Sequence, residues 1–232
     1  MSWFVTGTDT GAGKTFITCA LLHAFAEVDI RAVALKPLAA GLVEMDGIRV
    51  NEDVARLRAA MGANAPPLSV INPYALADPT APHLAAARAG IRLELGPIET
   101  AYREASRQAQ TVLVEGVGGW CLPLNESQWM SDIPRHLDLP VLMVAGIRLG
   151  GLNHALLTAR AVAADGCRLA GWIANVLDPA YPYANETIQS LAVHLGTPPI
   201  AVVGWNSQSD PRAAGVTLAR AARWLDSHRA GT

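Results

Sequence analysis

The sequence WFVTGTDTGAGKT, residues 3–15, decides the fold. Its first four residues form an apolar, β-prone run, and apolar residues recur at helical spacing from Phe16 to Phe25. Strand, glycine-rich loop, Lys-Thr and helix is the order of a phosphate-binding loop. In such a loop, backbone N–H groups and the positive end of the helix dipole surround phosphate oxygens. We therefore predict that the chain binds a nucleotide.

The spacing of this loop differs by one residue from the general motif of Gly, four residues and Gly-Lys-Ser/Thr. Here five residues separate Gly7 from Gly13. The alternative is an ordinary glycine-rich turn with a chance Lys, but the order of strand, loop and helix favours the phosphate loop. In this interpretation Lys14 reaches the β- and γ-phosphates, and the Thr15 hydroxyl binds Mg²⁺.

Lysine is rare in this chain. Of 18 basic residues only Lys14 and Lys36 are lysines, and all others are arginines. The ammonium group of Lys is a compact point charge, whereas the guanidinium group of Arg is broad and planar. We therefore predict that these two positions require a compact charge that Arg does not supply. Pro37 ends the strand before it and places Lys36 at the ligand edge. We predict a second cation beside Lys14 that stabilises a transferring phosphoryl group; the alternatives are codon bias and a Lys that snorkels at a strand end.

Composition narrows the class of protein. A length of 232 residues predicts one α/β domain over residues 1–232, and 51% hydrophobic residues predict a large core and apolar surface for a partner subunit. A net charge of −2 argues against nucleic-acid or anionic-membrane binding. Three scattered cysteines suit reduced thiols. No apolar run approaches the ~18 residues of a membrane span, and the first strand leaves no room for a signal peptide, so we expect a cytoplasmic protein.

Strand-like and helical segments alternate along the chain. Strands are predicted at 3–6, 31–36, 111–115, 139–145, 169–174 and 200–203, and helices at 16–25, 52–61, 82–90, 97–110, 152–164, 183–195 and 212–228. Residues 62–82 read as a loop, and residues 207–211 as a polar turn. This pattern predicts a P-loop NTPase-like α/β fold, a mainly parallel sheet with helices on both faces. Ligands of such sheets bind beyond the carboxyl ends of the strands.

Two acidic residues are candidates for a metal site. Glu115 ends a buried strand before a glycine-rich turn, where an acidic residue reaches Mg²⁺ directly or through water. Asp53 begins a predicted helix, where it either binds the metal or interacts with the helix dipole. The alternative for Glu115 is a solvent-facing side chain. Thr15, Asp53 and Glu115 together suffice for Mg²⁺, which keeps several waters.

Two further positions follow strands. The segment from Gly150 to Asn153 begins a helix whose free N–H groups either bind an anion such as a carboxylate or simply start the helix. Asn175 either pairs with a base edge or forms an Asx-turn.

Several motifs, in chain order over residues 3–175, resemble the dethiobiotin synthetase family. The five-residue gap in the phosphate loop is that family's form. The others are Lys36-Pro37, Asn72-Pro-Tyr74, Pro79-Thr80-x-Pro-His83, Val114-Glu-Gly-x-Gly-Gly-Trp120, Leu149-Gly-x-x-Asn-His154 and Gly171-Trp-x-Ala-Asn175.

The resemblance implies an ATP- and Mg²⁺-dependent ring closure in biotin biosynthesis. One amine of 7,8-diaminononanoate captures CO2 as a carbamate, whose oxygen attacks the γ-phosphate to give a carbamic-phosphoric anhydride. The second amine then displaces phosphate and forms dethiobiotin. The resemblance also implies a homodimer.

The same resemblance implies roles for individual residues. It assigns catalytic roles to Lys36, Lys14 and Thr10. The residues that it assigns to ATP binding are Gly11, Ala12, Gly13, Lys14, Thr15, Phe16, Asp53, Glu115, Gly116, Val117, Gly118 and Asn175. The residues that it assigns to substrate binding are Thr10, Lys36, Gly118, Gly150, Gly151, Leu152 and Asn153.

Departures from the family pattern leave alternatives open. Ala40 stands where the family often has Ser, so one hydroxyl contact to the substrate or carbamate is missing. Val176 replaces the usual acidic residue, and the segment at 203–205 lacks the usual Pro, so another nucleoside triphosphate is an alternative to ATP. The second hypothesis is a related P-loop ligase that acts on another substrate. A partitioning-type nucleotide-switch ATPase is the third, but its loop usually carries a second Lys, and Lys14 is the only Lys of this loop.

Overall fold

The computed structural model describes residues 2–205 and 210–228, and a six-stranded parallel sheet lies at its centre. In chain order the strands of the described residues are β1 Ser2–Gly7, β2 Ala32–Leu35, β3 Leu38–Ala40, β4 Val43–Met45, β5 Ile48–Val50, β6 Tyr74–Leu76, β7 Thr111–Glu115, β8 Val141–Ile147, β9 Leu169–Val176 and β10 Ala201–Val203. The central sheet has the order β10-β9-β8-β1-β7-β2. β1 therefore lies between β7 and β8, and the loop after it opens at the middle of the sheet edge.

Helices cover both faces of this sheet. They are α1 Lys14–Ala26, α2 Glu52–Met61, α3 Leu68–Ile71, α4 Pro82–Arg88, α5 Leu95–Gln108, α6 Asp132–His136, α7 Gly151–Ala164, α8 Ala184–Leu195 and α9 Pro211–Ser227. Alternate residues of β8 enter two apolar clusters: Met143 and Ile147 pack with residues of α7 and α8, whereas Leu142 and Val144 belong to the cluster that contains α1 and α9. The side-chain period of two thus buries β8 on both faces.

The predicted fold class is confirmed. Each of the six long predicted strands is present within about two residues of its predicted bounds. Lys36 directly follows β2, and Glu115 is the last residue of β7. Because β2 and β7 are parallel neighbours, these two side chains meet at the same edge of the sheet.

The prediction of a loop at residues 62–82 is wrong. This segment contains a 3₁₀ turn at Gly62–Asn64, the helix α3 and the strand β6. β6 pairs in parallel with β3, and β4 pairs with β5 in a hairpin, neither of which the sequence predicted. Strands of three residues are too short to show an alternating pattern, which explains why they were missed.

The predicted polar turn at 207–211 lies outside the described residues except for Asp210 and Pro211. Asp210 is the N-cap of α9, since its Oδ1 accepts the N–H of Arg212 at 2.8 Å. Within the described part of the chain, no helix is both long and apolar enough to cross a membrane.

Candidate active site

The loop between β1 and α1 has the backbone that phosphate binding requires. Gly13, the residue before α1, has φ of 86°, a conformation that favours glycine. A Cβ at this position would lie 2.2 Å from Nδ2 of Asn175, so space also demands glycine. No side chain caps the N-terminus of α1. Its first N–H groups are therefore open to an anion.

Lys14 lies folded across this loop. Its Nζ donates to the carbonyl of Gly118 at 2.5 Å and to the carbonyl of Asp9 at 3.1 Å. The side chain passes over Gly7, where a Cβ would lie 2.9 Å from the Lys14 Cγ. Burial lowers the pKa of Lys14 from 10.5 to about 8, against the opposing effect of the Glu115 carboxylate. The ammonium thus connects the phosphate loop with the turn after β7.

A second ammonium group lies in a buried cluster beside it. Lys36 Nζ is 2.7 Å from Glu115 Oε1 and 2.6 Å from Asp53 Oδ2. The Thr15 hydroxyl donates to the same Glu115 oxygen at 2.6 Å. Burial on its own would lower the pKa of Lys36, but Glu115 and Asp53 outweigh burial and raise it. Burial likewise opposes ionisation of Asp53, yet Lys36 holds the pKa of that carboxyl below its usual value.

Glu115 carries an unsatisfied oxygen. The residue is 0% exposed, and its Oε2 has no hydrogen-bond partner among the described residues. A buried carboxylate oxygen without a partner is costly, and a cation would satisfy it. Two carboxylates and a hydroxyl at this position suit Mg²⁺, which takes few protein ligands and several waters. In the described part of the chain, no three His, Cys, Asp or Glu side chains form a metal cluster.

Apart from Lys36, the predicted substrate residues lie in the phosphate loop, in the turn after β7 and at the start of α7. Thr10 is exposed, and a Cβ at Gly118 would lie 3.7 Å from the Thr10 hydroxyl oxygen. Gly150 precedes α7 with φ of 84°, and the N–H of Gly151 is already bound by the carbonyl of Arg148 at 2.9 Å. The N–H groups of Leu152 and Asn153 have no partner among the described residues.

Asn175 lies beneath the phosphate loop. It ends the pairing of β9 with β10, is 0% exposed, and donates from Nδ2 to the carbonyl of Ala12 at 2.9 Å. The structure thus places it next to the nucleotide-binding loop, and contact with a base remains a prediction.

Comparison with known proteins identifies the family. Residues 2–213 match a family model described as an AAA domain. Over 217 residues the chain is 45% identical to the ATP-dependent dethiobiotin synthetase BioD of Aromatoleum aromaticum, covering 94% of this chain and 96% of that protein. The chain belongs to the dethiobiotin synthetase family.

Solved structures of other P-loop proteins share the fold. The MinD cell division protein of Aquifex aeolicus superposes with a TM-score of 0.60 at 12% identity, over 99% of this chain and 98% of that one. A ParA family ATPase from Chlorobium tepidum gives a TM-score of 0.58 at 13% identity, over 96% and 98% of the two chains. At this identity the likeness of this chain to them extends to the fold alone.

Two asparagines that position the site were missed as functional residues. Asn72, within a dethiobiotin synthetase motif, donates from Nδ2 to the carbonyl of Lys36 at 2.8 Å. Asn51 caps α2, accepting the N–H of Asp53 at 3.0 Å and donating to the carbonyl of Ala40 at 2.9 Å. An Asn directly before two acidic residues is a typical helix start, so the sequence contained the signal for Asn51.

A groove of about 760 Å³ extends from Thr15 between α1, α2 and α9. It was also missed, because its residues come from three separate helices: Phe16, Cys19, His23, Arg56, Asp210 and Arg212. Cys19 is no nucleophile there, since burial raises the pKa of its thiol to about 12.

Proposed function

We propose that the chain catalyses the ATP- and Mg²⁺-dependent closure of 7,8-diaminononanoate and CO2 to dethiobiotin, as a single ATP-binding domain that acts as a cytoplasmic homodimer. Its 45% identity to an ATP-dependent dethiobiotin synthetase over 94% of the chain supports this reaction. The observation that carries it is the pair of buried lysines. Lys36, held by Glu115 and Asp53, lies close enough to Lys14 for its charge to lower the pKa of Lys14.

Nucleotide binding uses the phosphate loop and Lys14. The open N–H groups of the first turn of α1 bind phosphate oxygens. Lys14 Nζ exchanges its two carbonyl partners for phosphate. Thr15, Asp53 and Glu115 would hold Mg²⁺, which neutralises phosphate charge. The groove beside Phe16 is large enough to receive the nucleoside, and Asn175 is proposed to contact the base.

The reaction needs no strong nucleophile from the protein. One amine of the substrate forms a bond to CO2 and loses a proton, which gives a carbamate. A carbamate oxygen attacks the γ-phosphorus and ADP leaves. The second amine then attacks the carbamate carbon, and phosphate leaves with one of the oxygens that came from CO2.

The protein's part is positioning and electrostatic stabilisation. Lys36 and Lys14 neutralise the negative charges of the carbamate and of the transferring phosphoryl group, which otherwise repel each other. Thr10 and Gly118 are proposed to contact the substrate beside this pair, and the N–H groups of Leu152 and Asn153 are proposed to bind the distal carboxylate.

One assay tests this proposal against both alternatives. ADP formation is measured with bicarbonate, with and without 7,8-diaminononanoate, and dethiobiotin is identified by mass spectrometry. We expect ADP and dethiobiotin in equal amounts, and only when the diamine is present. If ATP is hydrolysed at the same rate with and without the diamine, the proposal is rejected in favour of a switch ATPase. Turnover with a different diamine or a carboxylate alone would indicate a related ligase.

A further inference from the structure

The phosphate loop contacts the end of β8 and the turn before α7 through hydrogen bonds that the mechanism above does not use. The Thr8 hydroxyl oxygen accepts the N–H of Gly146 at 3.2 Å, and Asp9 Oδ2 accepts Nη2 of Arg148 at 2.9 Å. Arg148 lies in the turn between β8 and α7, directly before the residues proposed to bind the substrate carboxylate. The phosphate loop is thus in direct contact with the turn that is proposed to bind the substrate.

Arg148 acts on that turn through its backbone as well. Its carbonyl accepts the N–H of Gly151 at 2.9 Å and so fixes the first turn of α7. Only glycine fits at position 151, because a Cβ there would lie 2.2 Å from the carbonyl oxygen of Gly146, so the turn packs closely against the end of β8. A shift of Arg148 therefore also shifts the N–H groups that follow Gly151.

Asp9 contacts both Lys14, which is proposed to bind phosphate, and Arg148. Its carbonyl accepts Lys14 Nζ, while its carboxylate holds Arg148 and the N–H of Thr10. Phosphate that takes over Lys14 removes a cation from the Asp9 peptide. The Asp9 carbonyl then loses its hydrogen bond to Lys14, and this change reaches Arg148 through the Asp9 carboxylate. His154 also faces this carboxylate, with Nδ1 3.9 Å from Oδ2.

Folding stability does not explain this ion pair. The Asp9 and Arg148 side chains are 42% and 43% exposed, and ion pairs exposed to this degree contribute little to stability. Resting on the proposed function, we propose that the Asp9–Arg148 pair couples the two sites, so that bound nucleotide strengthens binding of the diamine and the diamine strengthens binding of nucleotide. Arg148 is in this view a positioning residue.

The test measures coupling rather than activity. Calorimetry gives the Kd of 7,8-diaminononanoate, without bicarbonate, in the presence and absence of Mg²⁺ and the β,γ-imido analogue of ATP. For the unmodified protein we expect the analogue to tighten diamine binding at least about 5-fold. In Arg148→Ala this factor falls to near one, while the affinity for the analogue alone stays within about twofold. Arg148→Lys restores most of the coupling, and Asp9→Asn behaves like Arg148→Ala.

Matched control variants distinguish a loss of coupling from a general loss of folding or binding. Arg160→Ala changes an exposed arginine of α7, the helix that follows Arg148, and is expected to leave the coupling unchanged. A double variant of Asp9→Asn and Arg148→Ala is expected to be no worse than either alone. Unchanged coupling in Arg148→Ala, equal loss of both separate affinities, or no coupling in the unmodified protein would overturn the inference. Absence of dethiobiotin formation by the unmodified protein would instead refute the proposed function.

Discussion

Lys36 Nζ and Glu115 Oε1 are 2.7 Å apart, and both side chains are almost completely shielded from water. They come from the ends of neighbouring strands and share their surroundings with Asp53 and Thr15. Such a buried ion pair is weak evidence of stability, because both ions lose their hydration. We interpret it as a charge held ready for phosphoryl chemistry.

Replacement of Lys36 tests this interpretation. Lys36→Arg keeps a positive charge but puts a planar fork into a pocket built for a point charge, so we expect kcat to fall by about 10²-fold or more. Circular dichroism is expected to show a folded protein. Near-normal kcat in this variant would refute the catalytic role of Lys36.

Removal of the Lys36 charge tests the ion pair itself. Lys36→Met leaves the buried Glu115 carboxylate without its cation, which is expected to lower the free energy of unfolding by about 3–5 kcal/mol. Denaturant unfolding of Lys36→Met combined with Glu115→Gln is the control. The double variant should be more stable than Lys36→Met alone, and a less stable double variant would contradict the account.

The unsatisfied oxygen of Glu115 predicts a metal effect. Glu115→Gln exchanges one carboxylate oxygen for an amide group and removes the negative charge, so it should weaken Mg²⁺ binding. In the unmodified protein, MgCl2 added with ADP should raise the Tm, and the variant should lose most of that increase. Glu94→Gln, an exposed residue, serves as the control. An unchanged Mg²⁺ effect in Glu115→Gln would exclude this residue as a ligand.

Lys14 predicts a pH dependence of nucleotide binding. Its pKa of about 8 in the free protein leaves it half-protonated near pH 8. Bound phosphate favours the charged form, so binding at pH 8 should take up about half a proton, and affinity should fall as pH rises above 8. Calorimetry in two buffers of different ionisation enthalpy measures the uptake. Binding without proton uptake between pH 8 and 9 would contradict the assignment.

Asn175 predicts nucleotide selectivity. Asn175→Ala should weaken ATP binding more than GTP binding if its amide pairs with adenine. The bond to Ala12 supports the loop for either nucleotide, so its loss should affect both alike. Titrations with ATP and GTP separate the two effects, with Asn185→Ala on the exposed side of α8 as the control. Equal weakening would leave Asn175 with the supporting role alone.

The sequence predicted the central features because they are local. The phosphate loop is a continuous motif, and the long strands are apolar along their whole length. Parallel strands that end at one edge then bring Lys36 and Glu115 together, although 79 positions separate them. The sequence predicted that both residues lie at the ligand edge of the sheet, but not the ion pair between them, because that pair depends on the order of the strands.

Other features depend on geometry that spacing does not encode. The pair of Asp9 and Arg148 spans 139 positions and depends on the register of β1 against β8 and on the turn that follows β8. The bond from Asn175 to Ala12 depends on how close β9 comes to the loop. The groove beside Thr15 requires the relative placement of three helices. None of these leaves a periodic signal in the sequence.

The central claim is that the substrate, and not the protein, supplies the nucleophile that attacks ATP. Oxygen tracing tests it most directly: ATP and the diamine are mixed with freshly dissolved C¹⁸O₂, the reaction is stopped before the label exchanges with water, and inorganic phosphate is analysed by mass spectrometry. The account predicts one ¹⁸O atom in each phosphate and one in each dethiobiotin. Phosphate without ¹⁸O, formed together with dethiobiotin, would contradict it.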